Sequence, residues 1–326
     1  MELTNVKHLV VGVDIGVDTT TYAVVDLRGE IIAQDTFKTS DYPNIDNYLS
    51  VLCGKIIQLV EGNGGYEAVR SVGVCCPSSN FLTGCIENAA NLAWKGIIPL
   101  AALMRDRLGL AVAVGNNTQC TALGEQAFGA AHGMKDFVII TLGHGMGSCF
   151  FTNGKVNLGN KGFAGEVGHT CVVPNGRVCG CGNQGCLEAY CAHKGIILTA
   201  QELMEESSEP SLMRQVKDLT PKVITELCDK GDRLAIETYR RTGEMLGRGL
   251  ANYASILNPE AIILTGGVRY AGKWLLEPLE ENFEKYVFHN IKGQTKIIVS
   301  SLKDGERDVL GASVLAWQVK EYSLFI

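Results

Sequence analysis

The sequence predicts an α/β protein built as two halves of one design with a cleft between them. Three observations carry this expectation. Each half opens on short alternating strands joined by tight turns, and each goes on to alternate helices with strands. Glycine-rich turns also close strands in both halves. A length of 326 residues suits two domains of roughly 100–200 residues with proper cores.

In order, Leu9-Val-Val-Gly-Val-Asp-Ile15 reads as a buried strand that turns at Gly16. Thr21–Asp26 alternates as a second strand, and Arg28-Gly29 turns the chain into a third at Glu30–Gln34. From Ile45 to Glu61, Tyr48, Leu49, Leu52, Ile56 and Leu59 recur at helical spacing. Val72–Cys76 is a short apolar strand stopped by Pro77, and a helix over Pro99–Leu108 leads to a strand at Ala111–Val114. The second half repeats the theme with strands at Phe137–Leu142, Gly147–Phe151 and Lys155–Asn157. Glu202–Pro210 reads as a helix end and loop, Asp229–Leu257 as one long helix, and Ala261–Leu264 and Ile297–Val299 as strands. A final helix is expected over Val309–Tyr322. The repeat is one of pattern, not of residues.

The densest chemistry lies in His169-x9-Cys179-x-Cys181-x4-Cys186. Zn²⁺ takes four Cys or His ligands in closed structural sites, and glycines allow a tight loop to turn several thiolates onto one ion. With His169, Cys179, Cys181 and Cys186 all as ligands, no open position remains for catalysis at the metal. Glu166 and Glu188 bracket this knuckle, as a rigid frame for a polar ligand would require. Three glycine turns end strands: Asp14-Ile-Gly16, Leu142-Gly143-His-Gly145-Met-Gly147 and Thr265-Gly266-Gly267. Such turns let backbone N–H groups approach an anion, and Asp14 is placed to hold Mg²⁺ through water. Together they point to a nucleotide.

Gly165-Glu-Val-Gly-His169 followed by Cys179-Gly-Cys-Gly-Asn-Gln-Gly-Cys-Leu-Glu188 resembles the ROK family of repressors, open reading frames and sugar kinases. The resemblance runs along essentially the whole chain. It implies two actin-like (ribonuclease H-like) domains and an ATP- and Mg²⁺-dependent, glucokinase-like activity on a hexose or N-acetylhexosamine. It also implies structural zinc on His169, Cys179, Cys181 and Cys186, and sugar held by Asn116, Glu166, His169 and Glu188. Carboxylates and an imidazole suit that task because they reject sugars lacking the matching hydroxyl. A homodimer is the family's common assembly.

Four departures fall on the chemistry. Where the family has Asn-Asp, this chain reads Asn116-Asn117, and an amide cannot take the proton that the aspartate accepts. Loss of a general base typically costs about 10²–10⁴ in rate, although phosphoryl transfer depends mainly on positioning and charge. Val17-Asp18 replaces Gly-Thr in the first loop, His144 replaces a hydroxyl residue in the second, and Pro77-Ser78 replaces Pro-Gly. A zinc-stabilised sugar sensor without catalysis, and without a DNA-binding segment, is the alternative reading.

Domains are expected at 1–115 and 116–308, with the knuckle at 165–188 and the helix near 309–326 returning to the first domain. Net charge of −6 and the few residues before Leu9 argue against direct nucleic-acid binding. No apolar run is long enough to span a bilayer. Twelve cysteines without a leader-like N-terminus suit reduced thiols in a cytoplasmic protein.

Overall fold

The computed structural model describes residues 7–89 and 91–319. Leu9–Ile15 (β1) is apolar at nearly every position because it is buried on both faces. Thr19–Asp26 (β2) and Ile31–Lys38 (β3) return from it as an antiparallel meander. Ile45–Glu61 (α1) follows, started by Asn44, whose side chain accepts from the Asn47 N–H. Val69–Cys75 (β4) pairs parallel with β1. Ser79–Asn80 (β5), Cys85–Glu87 (β6) and Ile97–Ile98 (β7) make a small sheet that the hydrophobic pattern had not announced. Leu100–Leu108 (α2) leads to Ala111–Gly115 (β8), which completes the sheet order β3-β2-β1-β4-β8, and Asn117–Phe128 (α3) begins at once.

Phe137–Leu142 (β9), Met146–Thr152 (β10) and Lys155–Val156 (β11) form the second meander. Glu188–Cys191 (α4), His193–Glu206 (α5), Pro221–Asp229 (α6) and Arg233–Leu257 (α7) come next. Ala261–Thr265 (β12), Lys273–Tyr286 (α8) and Lys296–Val299 (β13) follow, giving the order β11-β10-β9-β12-β13. β9, β12 and β13 run parallel, so the second sheet repeats the first: three antiparallel strands, then two added in parallel. Asp304–Trp317 (α9) ends the described chain's secondary structure.

The chain divides into two units. The first takes the described residues up to Gly133, Leu158–Ala164 and those from Ser301; the second takes Met134–Asn157 and Gly165–Ser300. The boundary expected after residue 115 therefore falls later. α3 belongs to the first unit because it packs on α9: the Thr121 hydroxyl donates to Asp308 at 2.9 Å, and a Cβ on Gly311 would meet the Cys120 carbonyl oxygen at 1.9 Å. α9 also lies directly on the first sheet. A Cβ at Gly73 would stand 1.9 Å from the Ala312 carbonyl oxygen, so only glycine permits that approach.

The limits of α7 and α9 differ from expectation. The long helix starts at Arg233, not Asp229, because Gly231 turns with φ +81° and Asp232 caps the new helix by accepting from the Ala235 N–H. The last helix starts five residues early, at Asp304, and ends at Trp317; residues 320–322 of the expected span lie outside the described residues. Gly243 and Gly247 are packing glycines: a Cβ at Gly247 would stand 2.4 Å from the Leu279 carbonyl oxygen of α8. Trp94 is a core residue, 4% exposed, with its ring centroid 4.3 Å from that of Tyr48 and the planes tilted by 47°. No described helix is long and apolar enough to cross a membrane.

Candidate functional site

Residues 165–191 of the second unit form little regular structure, and hydrogen bonds shape them instead. A single turn at Val167–His169, bridges from Cys171 to Cys186 and from Val178 to Gln184, and a Cys179 N–H bond to the Asn183 carbonyl at 2.8 Å fold the loop on itself. This brings one ligand atom each from His169, Cys179, Cys181 and Cys186 within 4.8 Å of one another. Cys181 Sγ lies 3.7 Å from Cys186 Sγ, and Cys179 Sγ lies 3.7 Å from His169 Nδ1. Those separations match the edges of a tetrahedron with metal–sulfur bonds of about 2.3 Å. The donor set thus fits a tetrahedral N/S-bound ion. Cys171 sits beside the group but is not one of the four.

Glu188, the first residue of α4, joins this knuckle to the glycine turn after β9. One carboxylate oxygen accepts from the Met146 N–H at 2.8 Å, and the other accepts from the Cys179 thiol at 3.4 Å. Burial pushes the Glu166 carboxyl above its ordinary range; His169 opposes that shift and Glu188 adds to it. Glu166, His169 and Glu188 therefore share one electrostatic neighbourhood.

The glycine positions separate into roles. Gly143 and Gly267 line a cavity of about 680 Å³ together with His144, His193, Lys222 and Tyr270. Gly145 is instead the close neighbour of Glu188, whose oxygen would stand 2.8 Å from an added Cβ. Gly147 is a ladder residue of β10 paired with Thr141, not part of the turn. Gly266 has φ +83°, and a Cβ there would lie 2.3 Å from the Leu142 carbonyl oxygen, so it fits β12 against the end of β9.

In the first unit, Asp14 closes β1 and Gly16 donates its N–H to the Thr19 carbonyl at 2.9 Å, forming the tight turn. Asp18 is an exposed bend residue of that turn. Burial and then Asp308 raise the Asp14 carboxyl to about 7, while the Cys75 thiol and Arg307 pull it down. Asn116 caps α3: its side chain accepts from the Gln119 N–H at 2.8 Å, and Gln119 returns the bond to the Asn116 N–H. Asn117, the first residue of α3, has a buried carbonyl oxygen that accepts no hydrogen bond. An orphaned acceptor of this kind costs about 1–3 kcal/mol until a donor arrives.

Reading the sequence missed Arg307 and Asp308. Arg307 is 7% exposed and pairs with Asp304 at 2.9 Å and Asp308 at 3.0 Å, which sets a charged cluster against Asp14. The signal was present as a charged run, Asp304-Gly-Glu-Arg-Asp308, leading into an apolar helix.

The ROK family model matches residues 10–319. The glucokinase of Halalkalibacterium halodurans is 32% identical over 320 residues, spanning 95% of this chain and 94% of its own length. The xylose repressor of Caldicellulosiruptor bescii is 28% identical over 299 residues, spanning 90% of this chain and 75% of its own. A crystal structure of a ROK family glucokinase from Streptomyces griseus in complex with glucose and AMPPNP aligns with a TM-score of 0.78 at 31% identity. That alignment covers 95% of this chain and 100% of the other. A motif-bearing knuckle, the paired sheet topology and matches along nearly the whole length agree: this chain belongs to the ROK family.

Proposed function

We propose that this protein is an ATP-dependent kinase of a hexose or N-acetylhexosamine whose transfer step is slowed at Asn117. The observation that carries the reading is Glu188, which accepts from the Met146 N–H beside the turn after β9 and lies 3.4 Å from Cys179 Sγ of the knuckle. One carboxylate thereby couples the frame of a polar ligand site to a loop bordering a cavity of about 680 Å³, a size suited to a small-molecule ligand. The glucokinase relatives matched end to end support the same reading.

In this proposal His169, Cys179, Cys181 and Cys186 hold structural Zn²⁺, and the spacing of their ligand atoms supports that. The knuckle keeps Glu166 and Glu188 in place. Glu166, His169, Glu188 and Asn116 hold sugar hydroxyls, with the Asn116 carbonyl oxygen already committed to the helix cap. The turns at Gly16, Gly143 and Gly267 serve the nucleotide end, where Gly143 and Gly267 border the cavity itself, while Gly145 and Gly266 permit close packing and Gly147 lies in the β10 ladder. Asp14 would hold Mg²⁺, and the ion would supply charge neutralisation for the phosphates. Asn117 offers its orphaned oxygen to a sugar hydroxyl, orienting it without removing its proton. Two domains, one around each sheet, and a homodimer in the cytoplasm with no nucleic-acid partner complete the proposal.

Sugar-dependent ADP release by the purified wild-type chain tests it across hexoses and N-acetylhexosamines. Slow, sugar-specific release supports the kinase. Silence from folded protein over the whole panel removes it in favour of a second reading, a zinc-stabilised sugar sensor. Asn117 and the repressor relatives favour that alternative.

A further inference from the structure

The cavity of the second unit carries a pair of imidazoles that no glycine-loop argument requires. His144, in the turn after β9, and His193, the first residue of α5, stack with ring centroids 5.2 Å apart and planes 5° from parallel. The arrangement is braced, since the His193 N–H donates to the Gly143 carbonyl at 3.0 Å. Both rings line the cavity, and Lys222 of α6 lines it too. The other titratable groups facing it are Glu226 of α6, Tyr239 of α7 and Tyr270 of the turn after β12. Glu226 is the single carboxylate among these lining residues, so the wall is cationic whenever the imidazoles are protonated.

We propose that His144 and His193, with Lys222, form the phosphate-holding wall of this cavity and make it bind a polyphosphate chain more tightly as pH falls. The stacked His144 ring disfavours the charged form of His193. A phosphate chain removes that repulsion and gives each ring N–H a charge-assisted acceptor. In the free protein, burial and His144 both hold His193 below its ordinary value. Binding therefore draws a proton onto His193, and affinity increases as pH falls through the histidine range. This rests on the nucleotide reading above and adds to it the residues and the pH dependence.

The test is calorimetric titration of the full chain with AMPPNP and, separately, with inorganic tripolyphosphate, at about pH 6 and about pH 8. Using two buffers of different ionisation heat at each pH counts the protons taken up. The phosphate chain titrates in the same range, so the His144→Gln/His193→Gln variant is the control, with its melting temperature checked first. The wild type is expected to bind roughly tenfold more tightly at the lower pH, with net proton uptake, and the variant to lose most of both. Preference shown by tripolyphosphate as well assigns the wall to the phosphate chain itself; preference by AMPPNP alone assigns it to a nucleoside polyphosphate. A variant that binds like wild type with the same pH profile overturns the inference and leaves the nucleotide reading standing. Failure of folded wild type to bind either ligand at both pH values overturns the two together.

Discussion

The knuckle of the second unit and the strand ends of the first meet opposite structural demands. At the knuckle, four ligand atoms within 4.8 Å, two bridges and a shared carboxylate leave each group a defined partner. At the strand ends, Asn117 has an orphaned oxygen, and Asp14 is buried against Asp308 with its carboxyl raised to about 7. The first region is internally satisfied and serves as a frame. The second keeps unmet polar demand, which is what a site that handles charge and hydroxyls displays before its ligands arrive. Substitutions at the two should therefore differ in kind: those at the knuckle cost stability, and those at the strand ends change rate or pH response.

The largest effect is expected from breaking the frame. Chelation, or Cys181→Ser, should lower the melting temperature on the order of 10 °C and weaken sugar binding with it, because metal-binding energy is folding energy in such sites. An unchanged melting curve after complete metal removal would erase the contrast. Next in size is Asn117→Asp, expected to raise sugar-dependent turnover by about 10²–10⁴, or roughly 3–5 kcal/mol of barrier, with little change in melting temperature. Equal rates in the two proteins would show that the proton leaves by another route. Smallest is Asp14→Asn, read by thermal melts against pH. Folding raises the Asp14 carboxyl from 3.8 to about 7, so the folded state holds the extra proton and stability falls as pH rises through that window. The variant should lose that slope, matching wild type in acid and exceeding it near neutrality. Parallel curves would mean that Asp14 carries no such burden.

Much of this was legible in the residues. Strand β1, helix α1 and strand β9 appear at their expected limits because apolar periodicity and clear stop signals agree there. The clustering of His169, Cys179, Cys181 and Cys186 was readable because metal chemistry restricts both residue type and spacing. The beginnings of α7 and α9 were misplaced, since capping by Asp232 and a charged first turn at Asp304 decide those boundaries rather than hydrophobic period. Asp308 and Arg307 escaped notice for a related reason. Their meaning comes from α9 lying across β1 and β4, a contact permitted by Gly12 and Gly73 and invisible until the chain is folded. His144 stood out as a departure in one loop, but its partner His193 lies far along the chain and marks nothing by itself.

Sugar binding measured without nucleotide separates the frame from the chemistry most directly. Calorimetry should give one hexose or N-acetylhexosamine that binds wild type and Asn117→Asp within about threefold of each other, while Glu166→Gln weakens it by about 10²-fold. If Asn117→Asp alters affinity as much as Glu166→Gln does, or no sugar binds the folded wild type, then the division between a holding region and a reacting region is wrong.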